Sequence, residues 1–534
     1  MTLRDIHGVR QIESSSEVKL LGVTIDETMT FRSHSQKAAS KALQVLGSIR
    51  FLRAGRYGIS PLIARHLIIS KVIPVLTWGS PIWWIGTPTV KERVENTYYM
   101  MARWITGLPM STRITKLLYC AHLPPIDLWL DLITTNYAIR LISLPESHNL
   151  RPLPQYTSSR SHVAGPNRIL SFVSDYLNDK VETRSKPNAV DFQNLPTNLT
   201  KPKNTNDKRK CCISHQSWIQ SLAEDTMIVY TDGSRSKDGN IGAGWVIFSI
   251  NADHKPQMLT EGSCFLGKRM EVYDAELHVV FKALAKINSG DYINSNTNQV
   301  YIYINNMATV QVLLNNPDHT LGASMATEEG LKLIKRNIDI CTIWIPSHCG
   351  IPGNEHADRM AKLGSIQTSI VCTHSYTSIA WMKRKAKYDF VNKWRNFIGN
   401  QEITWKTPVY WTKLPFDKAQ RIFKVYCNRT DIDLRPWEES KKCKCGFEEL
   451  TSRHIIESCP LFTQQRDRIR GSCITPPQFS NDTILDPEWQ AGMYTFMKET
   501  GLGFRKELNW PSNTNVISEE ETSEPESFEV GDFE

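Results

Sequence analysis

The chain has 534 residues, with 63 Lys and Arg against 55 Asp and Glu and a formal charge of +8. Hydrophobic residues make up 40% and charged residues 22%, a folded soluble composition that excludes whole-chain disorder, a collagen-like repeat and an all-coiled-coil chain. The charge is uneven: residues 518–534 hold eight acids and no base, leaving 63 bases against 47 acids, a charge of +16, over residues 1–517.

In chain order, residues 1–153 read as a helical region. Ala39, Ala42, Leu43, Leu46 and Ile49 recur at three- and four-residue steps, and residues 63–75 and 94–105 repeat the pattern. Residues 67–86 are apolar, but Lys71, Pro74 and Pro81 interrupt them. A buried helix pair around Trp83 and Trp84 is expected there rather than a membrane span. Residues 154–222 are polar and end in a 201–210 tract with five bases and one acid, which predicts a solvated basic linker. Residues 223–366 alternate strand and helix signals. Residues 367–510 return to helical pattern with clustered Cys and His. Residues 511–534 are too poor in apolar side chains to order themselves. The twelve cysteines are scattered and no leader precedes them, which fits an intracellular compartment, nucleus or cytoplasm.

Within 223–366, residues 228–234 form a β-branched run that ends by presenting Asp232. Residues 242–249 read as a second strand, joined to the first by a hairpin turn at 237–240. Residues 272–287 read as a helix with Ala275, Val279, Ala283 and Leu284 on one face and Glu276 at its edge. Residues 300–304 form a strand that runs into Asn305, and residues 321–338 a helix. A strand at 342–346 leads to Ser347, His348, Cys349 and Gly350. The last helix, 354–363, carries Asp358, with Asn354 as its N-cap. Taken singly, each acid is a solvated group or a cap, since Asp-Gly is common turn chemistry.

The set is ordered, however. Tyr230-Thr-Asp-Gly-Ser234, Gly242-Ala-Gly-Trp245, Tyr273-Asp-Ala-Glu-Leu277 and Trp344-Ile-Pro-Ser-His348 occur in sequence. Gly350-Ile-Pro-Gly-Asn-Glu-His-Ala-Asp358 follows them. This closely resembles the type 1 ribonuclease H domain, in the form appended to reverse transcriptases of non-LTR retrotransposons. The resemblance implies an α/β fold, a five-stranded mixed sheet with flanking helices. It implies an endonuclease, a hydrolase that cuts the RNA strand of RNA–DNA hybrids with two Mg²⁺ or Mn²⁺ ions. By the same resemblance Asp232 is the first acid, Glu276 the second and Asp358 the fourth. His348 assists proton transfer or product release. The family's third acid aligns with Asn305, so the metal cluster falls from four carboxylates to three. Glu271 and Asp274 are expected to leave the helix in other directions and not to compensate. The expected outcome is the ribonuclease H fold with impaired catalysis. The alternative is an inactive nucleic-acid-binding remnant.

The flanks carry weaker signals. Leu20-Leu-Gly-Val-Thr-Ile-Asp26, Phe31, His34 and Pro74-Val-Leu-Thr-Trp-Gly79 resemble the thumb-like segment after the palm of non-LTR reverse transcriptases. No Asp-Asp pair occurs anywhere, so the polymerase palm is expected to be absent from this chain. Cys443, Cys445, His454 and Cys459 offer three thiolates and an imidazole for a structural Zn²⁺. They resemble the zinc-knuckle-like Cys-Cys-His-Cys motif of the same elements. Residues 381–397 interleave six bases with aromatics at Trp381, Tyr388, Phe390 and Trp394, which fits an amphipathic helix with its aromatics packed inward.

Overall fold

The computed structural model describes residues 2–5, 8–11 and 15–511, except 54–57, 85, 151–168, 170, 175–179, 184–191, 195–201, 316–319, 368–375, 400–412, 431, 434–441, 471–486 and 505–507. The acidic segment 518–534, Cys473 and most of 154–201 lie outside the described residues. The chain divides into two units. Unit 1 comprises Met1–Lys37, Thr77–Arg93 and Ile126–Lys393; unit 2 comprises Ala38–Leu76, Val94–Pro125 and Trp394–Glu534.

Unit 1 is built on a mixed sheet of five strands: β1 (Met227–Arg235), β2 (Ile241–Ile250), β3 (Pro256–Gly267), β4 (Gln299–Ile304) and β5 (Asp339–Trp344). The order is β5-β4-β1-β2-β3, and a two-residue strand, Gln193–Asn194, pairs with β5 at the edge. β1, β2 and β3 run antiparallel in succession, whereas β4 is parallel to β1 and to β5. Alternation along β1 sends Met227 and Val229 to one face and Ile228 and Tyr230 to the other.

The first face is covered by α2 (Val272–Ser289), α3 (Met307–Asn315) and α4 (Leu321–Ile334), whose apolar residues share a core with Met227, Val229, Val300 and Ile302. The second face is covered by α1 (Thr205–Gln220) and α5 (Pro352–Ile366). α5 lies against β2 at Gly242 and Gly244. A Cβ on Gly244 would come within 2.1 Å of Ala361 N, so only glycine permits that approach.

Several expectations change. The sequence reads residues 205–220 as linker, yet they form α1. Cys211, His215 and Ile219 are buried in the core with Tyr230, Tyr303 and Ile343. α1 is capped by Asn204, whose side chain accepts from Asp207 N at 2.9 Å. β3 was not expected from pattern; it is a partly exposed outer strand in which Cys264 and Leu266 are buried and Pro256–Met258 are exposed. The helix expected at 321–338 stops at Ile334. Asn354 is not an N-cap: Pro352 occupies the first turn of α5, Ile351 is the cap and Asn354 is buried inside the helix.

Elsewhere in unit 1, a hairpin of Glu17–Leu20 and Val23–Asp26 carries the Leu20–Asp26 motif. Trp83 and Trp84 are buried edge to face at 6.3 Å. Ile379 and Met382, early in the helix Ile379–Phe397, pack on Ala138, Ile139 and Val173.

Unit 2 is helical. Phe416–Tyr426 is tied by Lys116 Nζ donating to Tyr426 O at 2.9 Å and by Gln420 Nε2 donating to Gly107 O at 2.8 Å. Cys427 is buried against Cys120, Sγ to Sγ 3.8 Å. Phe462, Phe496 and Trp394 are fully buried. Among the described residues, no helix is long and apolar enough to cross a membrane.

Candidate active site and metal centres

The register of β1 on β4 builds the first site. Pairing runs in parallel to Thr231 and Ile304, so the next residues, Asp232 inside β1 and Asn305 just past the end of β4, stand side by side. Asn305 Nδ2 donates to Asp232 Oδ1 at 3.1 Å, and Trp344 Nε1 fixes the Asn305 backbone by donating to its carbonyl at 3.1 Å. Gly233 lets α2 approach: its missing Cβ would lie 3.0 Å from Val272 O and 3.1 Å from Ala275 Cβ. That contact brings Glu276, one residue further along α2, against Asp232.

Both carboxyls are buried, Asp232 at 6% exposure and Glu276 at 3%. Burial raises the Asp232 pKa, and the Asn305 amide opposes that rise. Burial, then the charge of Asp232, lifts Glu276 well above the carboxylate range. Glu276 Oε2 is buried with no hydrogen-bond partner among the described residues. Two desolvated acids in contact, one with an orphaned oxygen, fit a site that would hold a cation.

Asp358 comes from the second turn of α5. Its Oδ2 accepts from Lys362 Nζ at 2.6 Å, and its charge acts on Asp232. His348 sits exposed in the loop after β5, with φ +54°. One ligand atom each from His348, Glu355 and Asp358 lie within 4.8 Å of one another. Glu355 was not singled out from sequence, although it lies inside the quoted Gly350–Asp358 motif. A cleft of about 720 Å³ opens here, lined by Glu276, Asn305, Asn306, Trp344, Ser347 and His348, with Pro202 and Lys208 from before the sheet.

Glu271 and Asp274 do not join the acids. They form a reciprocal capping box on α2, with Glu271 N donating to Asp274 Oδ2 at 2.8 Å. Glu271 also pairs with Arg235 at 2.6 Å and with Arg384. Burial pushes Asp274 up to about 6.

The second site lies in unit 2. Cys443, Cys445, His454 and Cys459 each offer a ligand atom within 4.8 Å of the others. Cys443 Sγ and Cys459 Sγ are 3.7 Å apart, and Cys445 Sγ is 3.2 Å from His454 Nε2. A tetrahedron with Zn–S bonds of about 2.3 Å has S···S edges of about 3.8 Å, so the thiol pair already has the required span. His454 Nδ1 meets Ser458 Oγ at 3.1 Å, which leaves Nε2 for a metal. Phe447 stacks on the His454 ring at 4.3 Å, and Arg466 donates to Ile455 O at 3.0 Å, bracing the loop. The donor set and its spread are compatible with Zn²⁺.

The basic and aromatic tract at 381–397 divides as an amphipathic helix does. Phe390 and Trp394 are buried, and Tyr388 is 60% exposed.

Residues 224–366 match the family model described as RNase H. A probable RNA-directed DNA polymerase from transposon BS of Drosophila melanogaster is 25% identical over 130 residues, covering 24% of this chain and 14% of the relative. Human Ribonuclease H1 is 27% identical over 165 residues, covering 28% of this chain and 53% of the relative. The chain thus spans about half or less of these relatives' lengths. The crystal structure of RNase H1 from Halobacterium salinarum is 20% identical, covering 26% of this chain and 96% of that one, with a TM-score of 0.20.

Proposed function

We propose that the RNase H domain at residues 224–366 hydrolyses the RNA strand of RNA–DNA hybrids through Asp232, Glu276 and Asp358, at a rate held down by Asn305. The observation that carries this reading is the buried contact of Asp232, on β1, with Glu276 in a domain of that family. Mg²⁺ or Mn²⁺ bound there would activate the attacking water and stabilise the leaving oxygen. Asp232, Glu276 and Asp358 are the residues that would hold it. Glu276 must give up its proton for that, because burial favours its neutral form. Asn305, whose Nδ2 donates to Asp232, would offer such an ion at most a neutral amide oxygen and no charge. His348, exposed on the cleft wall, would assist proton transfer or product release.

Asn305 also favours a second reading, a domain that binds hybrid and does not cut it. Cleavage of an end-labelled hybrid by the full chain in Mg²⁺ and in Mn²⁺ separates the two. Under the first reading wild type cuts above an Asp232→Asn control and Asn305→Asp cuts faster. Under the second, wild type binds hybrid but stays at the control level. A rate unchanged by Asn305→Asp overturns the role given to Asn305.

For the Cys-Cys-His-Cys cluster we propose a structural Zn²⁺ that holds the segment around Ser452–Glu457.

A further inference from the structure

The helix upstream of the family match takes part in the cleft. α1 buries Cys211, His215 and Ile219, each one turn after the last, against the sheet. His215 Nε2 meets Tyr230 OH at 2.8 Å, and Trp218 Nε1 donates to Tyr303 OH at 2.9 Å. Cys212 Sγ donates to Gly350 O at 3.2 Å, which ties the same helix to the loop that carries His348. These contacts fix α1 in rotation about its axis.

Lys208 lies three residues before Cys211 and four before Cys212, so it continues the inward side of the helix by one turn. There the sheet has ended. Lys208 is exposed, makes no ion pair among the described residues, and lines the cleft with Glu276, Asn305, Ser347 and His348. The acids alone repel a polyanion. An ammonium on a flexible stem in the same cleft supplies the opposite charge where a backbone phosphate must pass. Lys210, two residues on, is about 200° around the helix and does not line the cleft.

We propose that Lys208 is a nucleic-acid-binding residue of this cleft, holding a backbone phosphate of the hybrid beside the acids, and that α1 belongs to the substrate site although it lies outside the family match. The proposal rests on the reading of RNA–DNA hybrid as the ligand.

The test is fluorescence anisotropy of a labelled hybrid with the full chain, with no divalent ion and no chelator added, from 50 to about 200 mM salt. Lys208→Gln should weaken binding roughly fivefold at low salt and reduce the slope of log affinity against log salt by about 1. Lys208→Arg should bind as wild type, and Lys210→Gln should stay within about twofold, because a charge on the far side is screened over about 10 Å. Lys208 is exposed, so the fold should tolerate its replacement; equal circular dichroism melts check that. Lys208→Gln binding as tightly as wild type, or Lys210→Gln losing as much, overturns the assignment. A wild-type chain that fails to bind hybrid overturns the substrate reading, and this assignment with it.

Discussion

Replacing Asn305 with Asp restores a fourth carboxylate, and its cost without metal follows from the geometry. The variant exchanges a donor 3.1 Å from Asp232 Oδ1 for a like charge. A hydrogen bond to a charged group is lost, about 1.5–3 kcal/mol. Two charges that close, at an effective dielectric of about 20, repel by about 5 kcal/mol. Protonation of one acid caps the sum, because holding a carboxyl of pKa ~4 neutral at pH 7.5 costs about 5 kcal/mol. A loss of about 2–5 kcal/mol is therefore expected without divalent ions. A cation at 100 times its dissociation constant returns about 2.7 kcal/mol. Hydrogen exchange of peptides from β1 and α2 in the full chain reads this directly. Asn305→Asp should exchange faster than wild type without Mg²⁺ and recover with it, while hybrid cleavage rises about tenfold or more. Equal exchange in wild type and variant without Mg²⁺, or no recovery with it, would refute the shared-site geometry.

Glu276→Gln removes one member of the buried acid pair; it should abolish cleavage yet raise metal-free stability by about 1–3 kcal/mol, read by thermal denaturation, and a lower melting point would count against the pair. Burial depresses the His215 pKa from the usual 6.5 of an imidazole to about 4. The stability this protects is whole above pH ~6.5 and is lost as pH falls toward 4, about 2 kcal/mol by pH 5, because only the unfolded chain takes up the proton. His215→Phe should flatten that acid slope in a urea titration, and an unchanged slope would place the titration elsewhere. The full chain should carry one Zn²⁺ by elemental analysis, and Cys459→Ser should lose it and open helix Ser452–Glu457 to proteolysis; full zinc retention in the variant would rule the cluster out as the site.

What the sequence disclosed, and what it hid, has a physical pattern. The positions of Asp232, Glu276 and Asp358 in the fold were legible because each sits in a motif whose neighbours fix its place: a glycine after Asp232 for close packing, small and apolar residues around Glu276, a Pro-Gly start before Asp358. Glu276 was expected at the edge of a buried face and proved fully buried, because only the fold reveals that Asp232 closes over it. β3 was missed because most of its residues are exposed or half-buried, so the two-residue alternation surfaces only at its end. Asn354 was misread because capping chemistry is local, whereas Pro352 two residues earlier had already set the helix start.

α1 is the instructive error. Its inward side is Cys211, His215 and Ile219, only one of them strongly apolar, and its first turns are basic, so composition pointed to linker. His215 can be buried there because Tyr230 OH partners it, a contact that sequence spacing does not show. The same register that hides the helix from pattern reading sets its charge to use. With Cys211 and Cys212 held against the sheet and the His348 loop, Lys208 has no buried surface left to meet and faces the cleft instead. The +16 charge of residues 1–517 is thus too coarse a clue to nucleic-acid binding. A surplus spread over the surface gives non-specific attraction that salt removes. A lysine held by a packed helix in the cleft that Glu276 lines gives a phosphate a place, and position is what a cleavage site requires.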